Sequence, residues 1–391
     1  MNILILTDYY HPIVRSGSIV IGGLAEELSR QGHNITIFTF SPDQKDLFSE
    51  SDEDGIKVFR IKAPLRNLGM VGRLFAEYKY SSLIIKTLKR NSSMSVDSVI
   101  CLSPSIFYGK AIDWIRKKYI VRAYLICRDI FPKWAVDSGL LRKGLLYYYF
   151  KFIEKILYKS VNFIGIESAS DLDYFLQYAD TKKIEVLDNW SPPLKTIQNK
   201  TSNSVLDNKK VNILYGGNMA DAQDLLSLIN LVDDSILEGK AVISLIGSGH
   251  QLEEIKKTIV EKKLSNIAVL SEVDQETYLS ILSEADIGLV SLNRKLESNN
   301  YPLKMMGYLQ LSKPILASVN ENNEIISLIK EHNVGLTSIS GERDSFNQNL
   351  FNLINDEKLR ELQGKNALQL FNKRFTVKSA ANKILNRLEK V

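Results

Sequence analysis

The stretch that decides the fold reads DIGLVSLNRKLESNNYPLKMMGYLQLSKPILAS and covers residues 286–318. Two short apolar runs in it, Ile287–Val290 and Pro314–Ser318, are typical of buried strands. Between them a polar loop leads to Pro302, and proline is pre-organised for the first position of a helix. A strand, a helix and a second strand in this order predict a right-handed crossover within a parallel sheet.

Lys304 lies in the first turn of the predicted helix, where the positive end of the helix dipole disfavours a cation unless an anion binds there. The free N–H groups of the same turn attract phosphate oxygens. The position therefore predicts a diphosphate ligand held by Lys304, and a lysine that only faces solvent is the alternative. Ser298 and Asn299, in the polar loop before the helix, are further candidates for binding this ligand.

Strands alternate with helical segments along the rest of the chain. The segment Ile19–Gln31, for example, has leucines at helical spacing. The predicted strands besides the two above are Asn2–Thr7, Asn34–Phe40, Lys57–Ile61, Ser98–Leu102, Arg122–Cys127, Val161–Ile166, Val211–Tyr215, Ala241–Ile246 and Asn266–Leu270. This alternation predicts an α/β protein with two doubly wound, Rossmann-like parallel-sheet domains.

The stretch from Asp188 to Asn208 breaks this alternation, because it contains two consecutive prolines and several asparagines and serines but no periodic apolar residues. We therefore predict an N-terminal domain at residues 1–190, a linker at residues 191–208 and a C-terminal domain at residues 209–374. Residues 375–391 have the pattern of an amphipathic helix, which we expect to pack back on the N-terminal domain. Ligands bind outside the carboxyl ends of parallel strands, so two facing domains would enclose one cleft.

The composition is that of a soluble globular protein, with 391 residues, 45% hydrophobic and 24% charged. The two cysteines make neither a disulfide framework nor a zinc motif. The N-terminus lacks the basic region and cleavage site of a signal peptide, and no apolar run reaches the roughly 18 residues of a membrane span. We expect a cytoplasmic protein that is soluble or at most peripheral to a membrane.

The net charge of +5 is unevenly distributed. Residues 60–90 hold eight basic residues and one acidic residue, and residues 110–159 hold twelve basic and four acidic ones. Large apolar and tyrosine residues interleave with the basic ones, as in RKGLLYYYFKFIEKILYK, and such a face suits the surface of an anionic membrane. A solvated charged face is the alternative. No nucleic-acid recognition motif accompanies the charge, so nucleic acid is not an expected partner.

The first strand-to-helix turn, DYYHPIVRSGS, carries candidate ligand-binding residues. Gly17 and Ser18 open a helix whose N-terminal N–H groups attract a phosphate or sugar oxygen. A tight turn with Ser18 as the N-cap is the alternative. Arg15 is placed either to reach a phosphate or to face solvent, and His11 is a candidate for contact with substrate. The turn lacks the G-x-G-x-x-G pattern, so a nicotinamide cofactor is not expected.

The second half of the chain has two glycine turns of its own. YGGNMADAQD follows a strand and places Gly217 and Asn218 before a helix, and IGSGHQLEEI places Gly247 and Gly249 in the same way. Glycine lets the backbone approach a ligand closely. Each turn alone also fits a purely structural role, but their occurrence in one half strengthens the prediction of a ligand site.

Four motifs in sequence order make the chain resemble GT-B glycosyltransferases of family 4, in the subgroup of O-antigen, capsule and colanic-acid transferases that includes N-acetyl-L-fucosamine transferases. The motifs are HPIVRSG followed by LAEEL (24–28) and Gly32-His33; Arg128-Asp129-Ile130-Phe131-Pro132; Tyr215, Gly217, Asn218 and Gln223; and Glu297 with Pro302, Leu303, Lys304, Gly307, Tyr308, Lys313 and Pro314. The resemblance covers essentially the whole chain.

The resemblance implies a GT-B fold with an acceptor-binding N-terminal domain and a donor-binding C-terminal domain. The implied reaction moves a sugar, with retention, from a nucleotide diphosphate sugar to a polyprenyl-diphosphate-linked glycan at the inner face of the plasma membrane. No cofactor or metal is expected. Gly17, Gly217 and Asn218 would line the donor phosphates, Lys304 would pair with them, and Glu297 would contact the transferred sugar.

Asp129 is a candidate for orienting the acceptor, and a helix cap or an internal salt bridge is its alternative role. The chain departs from the family pattern at Gly307, where a ribose-binding glutamate is common, at Leu303, where serine is usual, and at Ala220, where glycine is common. The ribose contact must therefore come from elsewhere. A non-catalytic nucleotide-sugar-binding pseudo-transferase and a GT-B sugar-nucleotide epimerase are the alternative functions.

Overall fold

The computed structural model describes residues 1–13, 15–63, 77–137, 139–191, 194, 206–270, 272–296 and 301–389. The chain divides into two compact units. The first unit comprises Met1–Pro192 and Val377–Val391, and the second comprises Pro193–Thr376. Most of the predicted linker, residues 192–193 and 195–205, lies outside the described residues.

The first unit is built on a sheet of eight described strands. They are β1 Asn2–Leu6, β2 Asn34–Ser41, β3 Phe48–Glu53, β4 Ile56–Lys62, β5 Ser98–Leu102, β6 Arg122–Cys127, β7 Phe163–Ile166 and β8 Ile184–Val186. Their order in the sheet is β3-β4-β2-β1-β5-β6-β7-β8, and only β3 and β4 pair antiparallel. Central strands such as β1 and β5 are apolar on both faces because helices cover both sides of a parallel sheet.

Two apolar cores lie on opposite faces of this sheet. The helices before the linker are α1 Ser16–Arg30, α2 Tyr80–Arg90, α3 Gly109–Tyr119, α4 Lys133–Asp137, α5 Leu145–Ser160 and α6 Leu172–Leu176. Helices α2, α3 and α5 contribute buried side chains to one core, and α1 contributes to the other. This arrangement leaves the carboxyl ends of the strands as the edge from which the loops with polar residues emerge.

The second unit has a sheet of six described strands, all parallel, in the order β11-β10-β9-β12-β13-β14. The strands are β9 Val211–Gly216, β10 Ala241–Ile246, β11 Ile267–Leu270, β12 Ile287–Ser291, β13 Ile315–Val319 and β14 Gly335–Ile339. The helices are α7 Leu225–Leu231, α8 Asp234–Leu237, α9 Leu252–Glu261, α10 Gln275–Glu284, α11 Leu303–Gln310, α12 Glu324–His332, α13 Arg343–Asn355 and α14 Glu357–Leu370. Two buried apolar clusters again cover the two faces of the sheet.

The last helix, α15 Val377–Glu389, belongs to the first unit although the chain reaches it from the second. Its buried residues follow helical spacing and pack with α1 in one of the two cores of the first unit. Arg387 also forms a salt bridge from its Nε to Glu185, at 3.1 Å. Among the described residues, every helix is too short or too polar to cross a bilayer.

The structure contains strands that the sequence patterns did not predict. Strand β3 is polar (FSESDE) and pairs with β4 through a tight turn in which Asp54 and Gly55 have positive φ angles of 54° and 82°. An Asp-Gly pair between two strands is a strong hairpin signal, so the turn was readable even though the strand is not apolar. The short edge strand β8 and the strand β14 were also missed.

A buried carboxylate joins α5 to α6 in the first unit. Glu154 is fully buried and pairs with Lys151 at 2.7 Å. It also accepts hydrogen bonds from the hydroxyls of Tyr158, Tyr174 and Tyr178. Burial raises the pKa of Tyr158 well above its ordinary value, so that hydroxyl remains a donor. The charge of Glu154 is therefore compensated from several directions.

Replacing Glu154 with alanine should destabilise the first unit by about 3–5 kcal/mol, because the change leaves Lys151 and the tyrosine hydroxyls without their shared partner. All three tryptophans of the chain, Trp114, Trp134 and Trp190, lie in this unit. Tryptophan fluorescence during urea denaturation therefore measures its unfolding separately.

The control for this prediction is Lys155→Ala, which removes an exposed side chain from the same helix and should change the free energy of unfolding by less than about 0.5 kcal/mol. An E154A variant as stable as K155A would show that the buried network contributes nothing.

Candidate functional site

A cavity lies at the carboxyl ends of β9, β10 and β11 in the second unit. Its volume is about 560 Å³, within the range of small-molecule sites. It is lined by Gly216, Gly217, Asn218, Ile246, Gly247, Ser248, Glu272, Val273, Tyr278 and Lys304. Most of these residues come directly after a strand, which is where ligands bind in open parallel sheets.

Two glycines let the loops after β9 and β10 run side by side along this cavity. The N–H of Gly217 donates to the Ile246 carbonyl at 2.9 Å, and the N–H of Met219 donates to the Ser248 carbonyl at 2.8 Å. A Cβ on Gly247 would collide with the Gly217 carbonyl oxygen, and its φ of +147° also favours glycine. The close approach therefore explains the glycine at position 247, and a φ of +135° favours glycine at position 217.

Lys304 places a buried ammonium group beside the glycine loop. The Lys304 Nζ would lie 3.2 Å from a Cβ placed on Gly217. The same Nζ lies 3.7 Å from the centroid of the Tyr215 ring. Within the described chain this Nζ has no hydrogen-bond partner. Burial lowers the pKa of Lys304 from 10.5 to about 7. Burying a cation without a partner costs free energy, and an anionic ligand would compensate its charge.

Helix α11 presents Lys304 to the cavity from its second residue. The helix begins at Leu303, and Pro302 is its N-cap with extended backbone. The prediction that Pro302 occupies the first helical position is therefore wrong by one residue, while Lys304 does lie in the first turn. The first turn has no acidic residue and no side-chain cap, so the positive end of the helix dipole acts in the same direction as the lysine charge.

Tyrosines fix the geometry of the glycine loop. The Tyr215 hydroxyl donates to the Asn218 carbonyl at 2.5 Å, and the N–H of Gly216 donates to the Tyr308 hydroxyl at 3.3 Å. The ring of Tyr278 lies so close to Gly216 that a Cβ there would collide with it. Tyr308, which the sequence motif pointed out, therefore supports the loop from below and does not line the cavity.

In the first unit, the helix α1 starts where the sequence predicted a ligand turn. Arg15 is the N-cap, and the Ser18 hydroxyl accepts from the Arg15 N–H at 2.9 Å and donates to the Ile13 carbonyl. Because Ser18 is fully buried, we assign its hydroxyl to the helix start and find no support for its predicted contact with a donor. The alternative role of Ser18 as the N-cap is wrong, because Arg15 occupies that position. Gly17 is partly exposed, in the first turn.

The other predicted residues of the first unit lie in loops. Arg15 is exposed and its guanidinium lies over the Tyr9 ring at 4.5 Å. His11 is exposed and packs against Gly22, where a Cβ would lie 2.6 Å from its Nε2. Asp129 follows β6 and is exposed. Partial desolvation raises the pKa of its carboxyl, and the positive charge of Arg128 opposes this rise.

Arg128 is a residue that the sequence motif contained but to which no role was given. Its guanidinium stacks over Trp190 at 4.5 Å, and its Nη1 lies 3.3 Å from both Glu167 and the Leu187 carbonyl. Its Nε and Nη2 are buried and have no hydrogen-bond partner in the part of the chain that is described. Arg128 thus brings unused donors to the strand edge that carries Asp129.

The structure leaves some predicted residues untested and adds others. Glu297, Ser298 and Asn299 lie outside the described residues. Asn218 and Gly247 line the cavity with Lys304, whereas Gly249 does not. Sequence reasoning missed Ser248, Glu272, Val273 and Tyr278, all of which line the cavity. Ser248 and Glu272 could have been predicted as ligand-binding candidates, because each lies two residues after a predicted strand.

Comparisons with known sequences give distant relatives. No protein-family model matches the chain. It is 22% identical over 243 residues to the probable glycosyltransferase WbjE of Pseudomonas aeruginosa, a match that spans 59% of this chain and 57% of that protein. It is 22% identical over 408 residues to an uncharacterized glycosyltransferase of Methanocaldococcus jannaschii, with 99% of each chain covered. These relatives support glycosyltransferase function.

Comparisons with solved structures show the fold. A trehalose-6-phosphate structure from E. coli bound with UDP-2-fluoro glucose matches with a TM-score of 0.69 at 12% identity, covering 100% of this chain and 99% of that one. WaaG, a glycosyltransferase involved in lipopolysaccharide biosynthesis, matches with a TM-score of 0.65 at 13% identity, covering 99% and 100%. The chain therefore has the GT-B fold, with two Rossmann-like α/β domains.

Replacing Lys304 with methionine should stabilise the second unit, because methionine fills similar space without a charge. Between pH 7 and 10.5 the unfolded chain holds the Lys304 proton more tightly than the folded chain, so wild-type stability rises with pH in this window. The gain of K304M over wild type should be largest at pH 6 and should fall by a few kcal/mol toward pH 10, because each unit of pKa shift corresponds to about 1.4 kcal/mol. Hydrogen exchange of β9 and β10 measures it.

Lys256→Met is the matched control, since Lys256 is exposed on α9. The free energy of unfolding of K256M should differ little from that of the wild type, and by the same amount at pH 6 and pH 10. If the stability gained by K304M does not change with pH, the lowered pKa assigned to Lys304 is contradicted.

Proposed function

We propose that the protein is a retaining family 4-type glycosyltransferase that moves a sugar from a nucleotide diphosphate sugar to a polyprenyl-diphosphate-linked glycan in bacterial surface polysaccharide synthesis. The observation that carries the proposal is the ammonium of Lys304, which is buried beside a glycine-lined cavity and has no partner in the described part of the chain. An N-acetylated amino sugar or deoxyamino sugar is the proposed transferred group, on the strength of the motifs shared with N-acetyl-L-fucosamine transferases.

The chemistry of transfer explains why such a cation is needed. Cleavage of the anomeric C–O bond builds positive charge on the sugar and negative charge on the departing diphosphate. Protonated Lys304 and the N–H groups at the start of α11 would stabilise that negative charge, and fixed charges in a water-poor cavity are most effective at this task. The glycines after β9 and β10 would let the phosphates approach the backbone. The proposal requires no resident cofactor.

We assign the acceptor to the first unit. Asp129 offers an exposed carboxylate there to accept a proton or hydrogen bond from an acceptor hydroxyl, and His11 is exposed in a loop of the same unit. Arg128 adds two guanidinium nitrogens, Nε and Nη2, which have no hydrogen-bond partner among the described residues. Sugar hydroxyls both donate and accept hydrogen bonds, so a carboxylate and a guanidinium suit them together.

A lipid-linked acceptor requires contact with a membrane, and α5 supports this part of the proposal. Its N-terminal half exposes Leu145 by 93%, Tyr148 by 66% and Phe152 by 62%. Arg142 and Lys143 precede it, are exposed, and make no ion pair with other described residues. Apolar side chains flanked by free cations suit the interface of an anionic bilayer, and we propose that this face meets the inner leaflet of the plasma membrane.

One observation favours a second candidate, a pseudo-transferase that binds a nucleotide sugar without turning it over. Gly307 provides no carboxylate on α11, and a Cβ there would lie 3.2 Å from the Leu282 side chain. A larger residue at this position would therefore require a shift of Leu282. Binding of nucleoside diphosphate with no transfer to any lipid-linked acceptor, and no effect of Asp129→Ala on binding, would favour this candidate.

Binding of a nucleoside diphosphate should require protonated Lys304. At pH 6.5, K304M should weaken the binding of UDP, GDP or ADP by about tenfold or more, since hydrogen bonds to charged groups contribute about 1.5–3 kcal/mol. Wild-type affinity should fall as pH rises through about 7, because the free protein loses the proton that the complex retains. Titration calorimetry measures both effects.

The control for nucleotide binding is Lys313→Met. Lys313 is a second lysine of the same unit whose pKa is lowered by burial, but its Nζ donates to the Ser283 carbonyl and does not line the cavity. K313M should leave nucleotide affinity within about twofold. Transfer is then assayed with radiolabelled nucleotide sugars and polyprenyl-diphosphate-linked acceptors. A wild-type protein that neither binds nor turns over any nucleotide or nucleotide sugar would refute the proposed function.

Substitutions on the exposed face of α5 should weaken membrane binding. The variant Arg142→Gln, Lys143→Gln, Leu145→Ser, Phe152→Ser should lose most of the flotation of wild-type protein with vesicles of anionic phospholipid, because it removes two charges and two exposed apolar groups. The control Val260→Ser, Lys262→Gln changes an exposed residue of α9 and the exposed lysine that directly follows this helix, and it should float like the wild type. Equal flotation of all three proteins would contradict the assigned face.

A further inference from the structure

The cavity of the second unit holds one cation and one carboxylate among its described lining residues, Lys304 and Glu272. Glu272 lies two residues after β11 and is exposed. It makes no hydrogen bond or ion pair in the described part of the chain, and it is therefore available to a ligand. Helix α11, which provides the lysine, has no acidic residue (LKMMGYLQ).

The two charged groups suit different parts of one molecule. Lys304 and the glycine loop suit a diphosphate, whereas a carboxylate beside a diphosphate would repel it unless another group of the ligand occupied the space between them. A carboxylate accepts hydrogen bonds and accommodates two neighbouring donors at once. A cavity of about 560 Å³ has room for a nucleoside attached to the diphosphate.

We propose that Glu272 recognises the nucleoside part of the donor by accepting a pair of hydrogen bonds from two adjacent donor groups. This inference rests on the proposed function, because it takes the ligand to be a nucleoside diphosphate sugar. Two sources can supply the donor pair: the 2′- and 3′-hydroxyls of the ribose, or the N1–H and N2–H groups of a guanine base. In the first case Glu272 would provide the ribose contact that Gly307 does not.

The test compares ligands that differ by one donor group. Titration calorimetry measures the affinity of wild type, Glu272→Gln and Glu276→Gln for UDP, 2′-deoxy-UDP, GDP, IDP and pyrophosphate. Glu276 is an exposed carboxylate in the first turn of α10 that does not line the cavity. Glutamine keeps the size of glutamate, and Glu272 is exposed, so neither substitution threatens the fold.

If the ribose is recognised, wild type should bind UDP about tenfold more tightly than 2′-deoxy-UDP, and E272Q should reduce this ratio to less than about threefold. If the base is recognised, the ratio of GDP to IDP should behave in the same way. Pyrophosphate should bind E272Q at least as tightly as wild type, because a repelling charge is gone. E276Q should keep the wild-type ratios.

The proposal is overturned if wild type binds nucleotides without preference in either pair, or if E272Q retains the wild-type preferences. Failure of the proposed function gives a different result. In that case wild type binds neither pyrophosphate nor any of the nucleotides, and no ratio is measured.

Discussion

An ammonium group that has no partner among the described residues is the constraint on which the site of the second unit depends. The Nζ of Lys304 lies against the face of Tyr215 and near the backbone of Gly217, and among the residues that the structure describes no carboxylate pairs with it. A cation–π contact recovers part of the lost hydration, yet burial still lowers the pKa of this lysine to about 7. Burial of this charge therefore raises the free energy of the folded chain, and binding of an anion would remove that increase.

The surroundings of that ammonium are built from backbone and aromatic rings. Glycines after β9 and β10 allow two loops to touch, and the Tyr308 hydroxyl holds the N–H of Gly216 from the core side. Hydrogen bonds between main-chain atoms of the two loops, together with those of the tyrosine hydroxyls, hold this rim in place without filling the cavity. Rigid, pre-oriented dipoles stabilise developing charge without further reorganisation.

The alternation of strands and helices was readable from sequence because each central strand is a continuous apolar run bounded by turn residues, as in Asn2–Leu6 or Ala241–Ile246. The sequence drew attention to Lys304 because a positively charged side chain is unfavourable in the first turn of a helix. By contrast, β3 was missed because an edge strand need not be apolar. A donor contact was predicted for Ser18 because a serine near a helix start fits a ligand site as well as a structural role; in the structure its hydroxyl is buried and accepts from the Arg15 N–H. Glu272 and Tyr278 were missed because lining a cavity depends on neighbours distant in sequence.

The return of α15 to the first unit has a consequence for synthesis on the ribosome. One of the two apolar cores of that unit includes side chains from Val377 to Leu388, which are made only after the whole second unit. The unit that begins the chain is thus completed last, whereas Pro193–Thr376 is continuous and has all its residues earlier. A chain that terminates prematurely near residue 376 would contain an intact second unit beside a first unit with an uncovered apolar face.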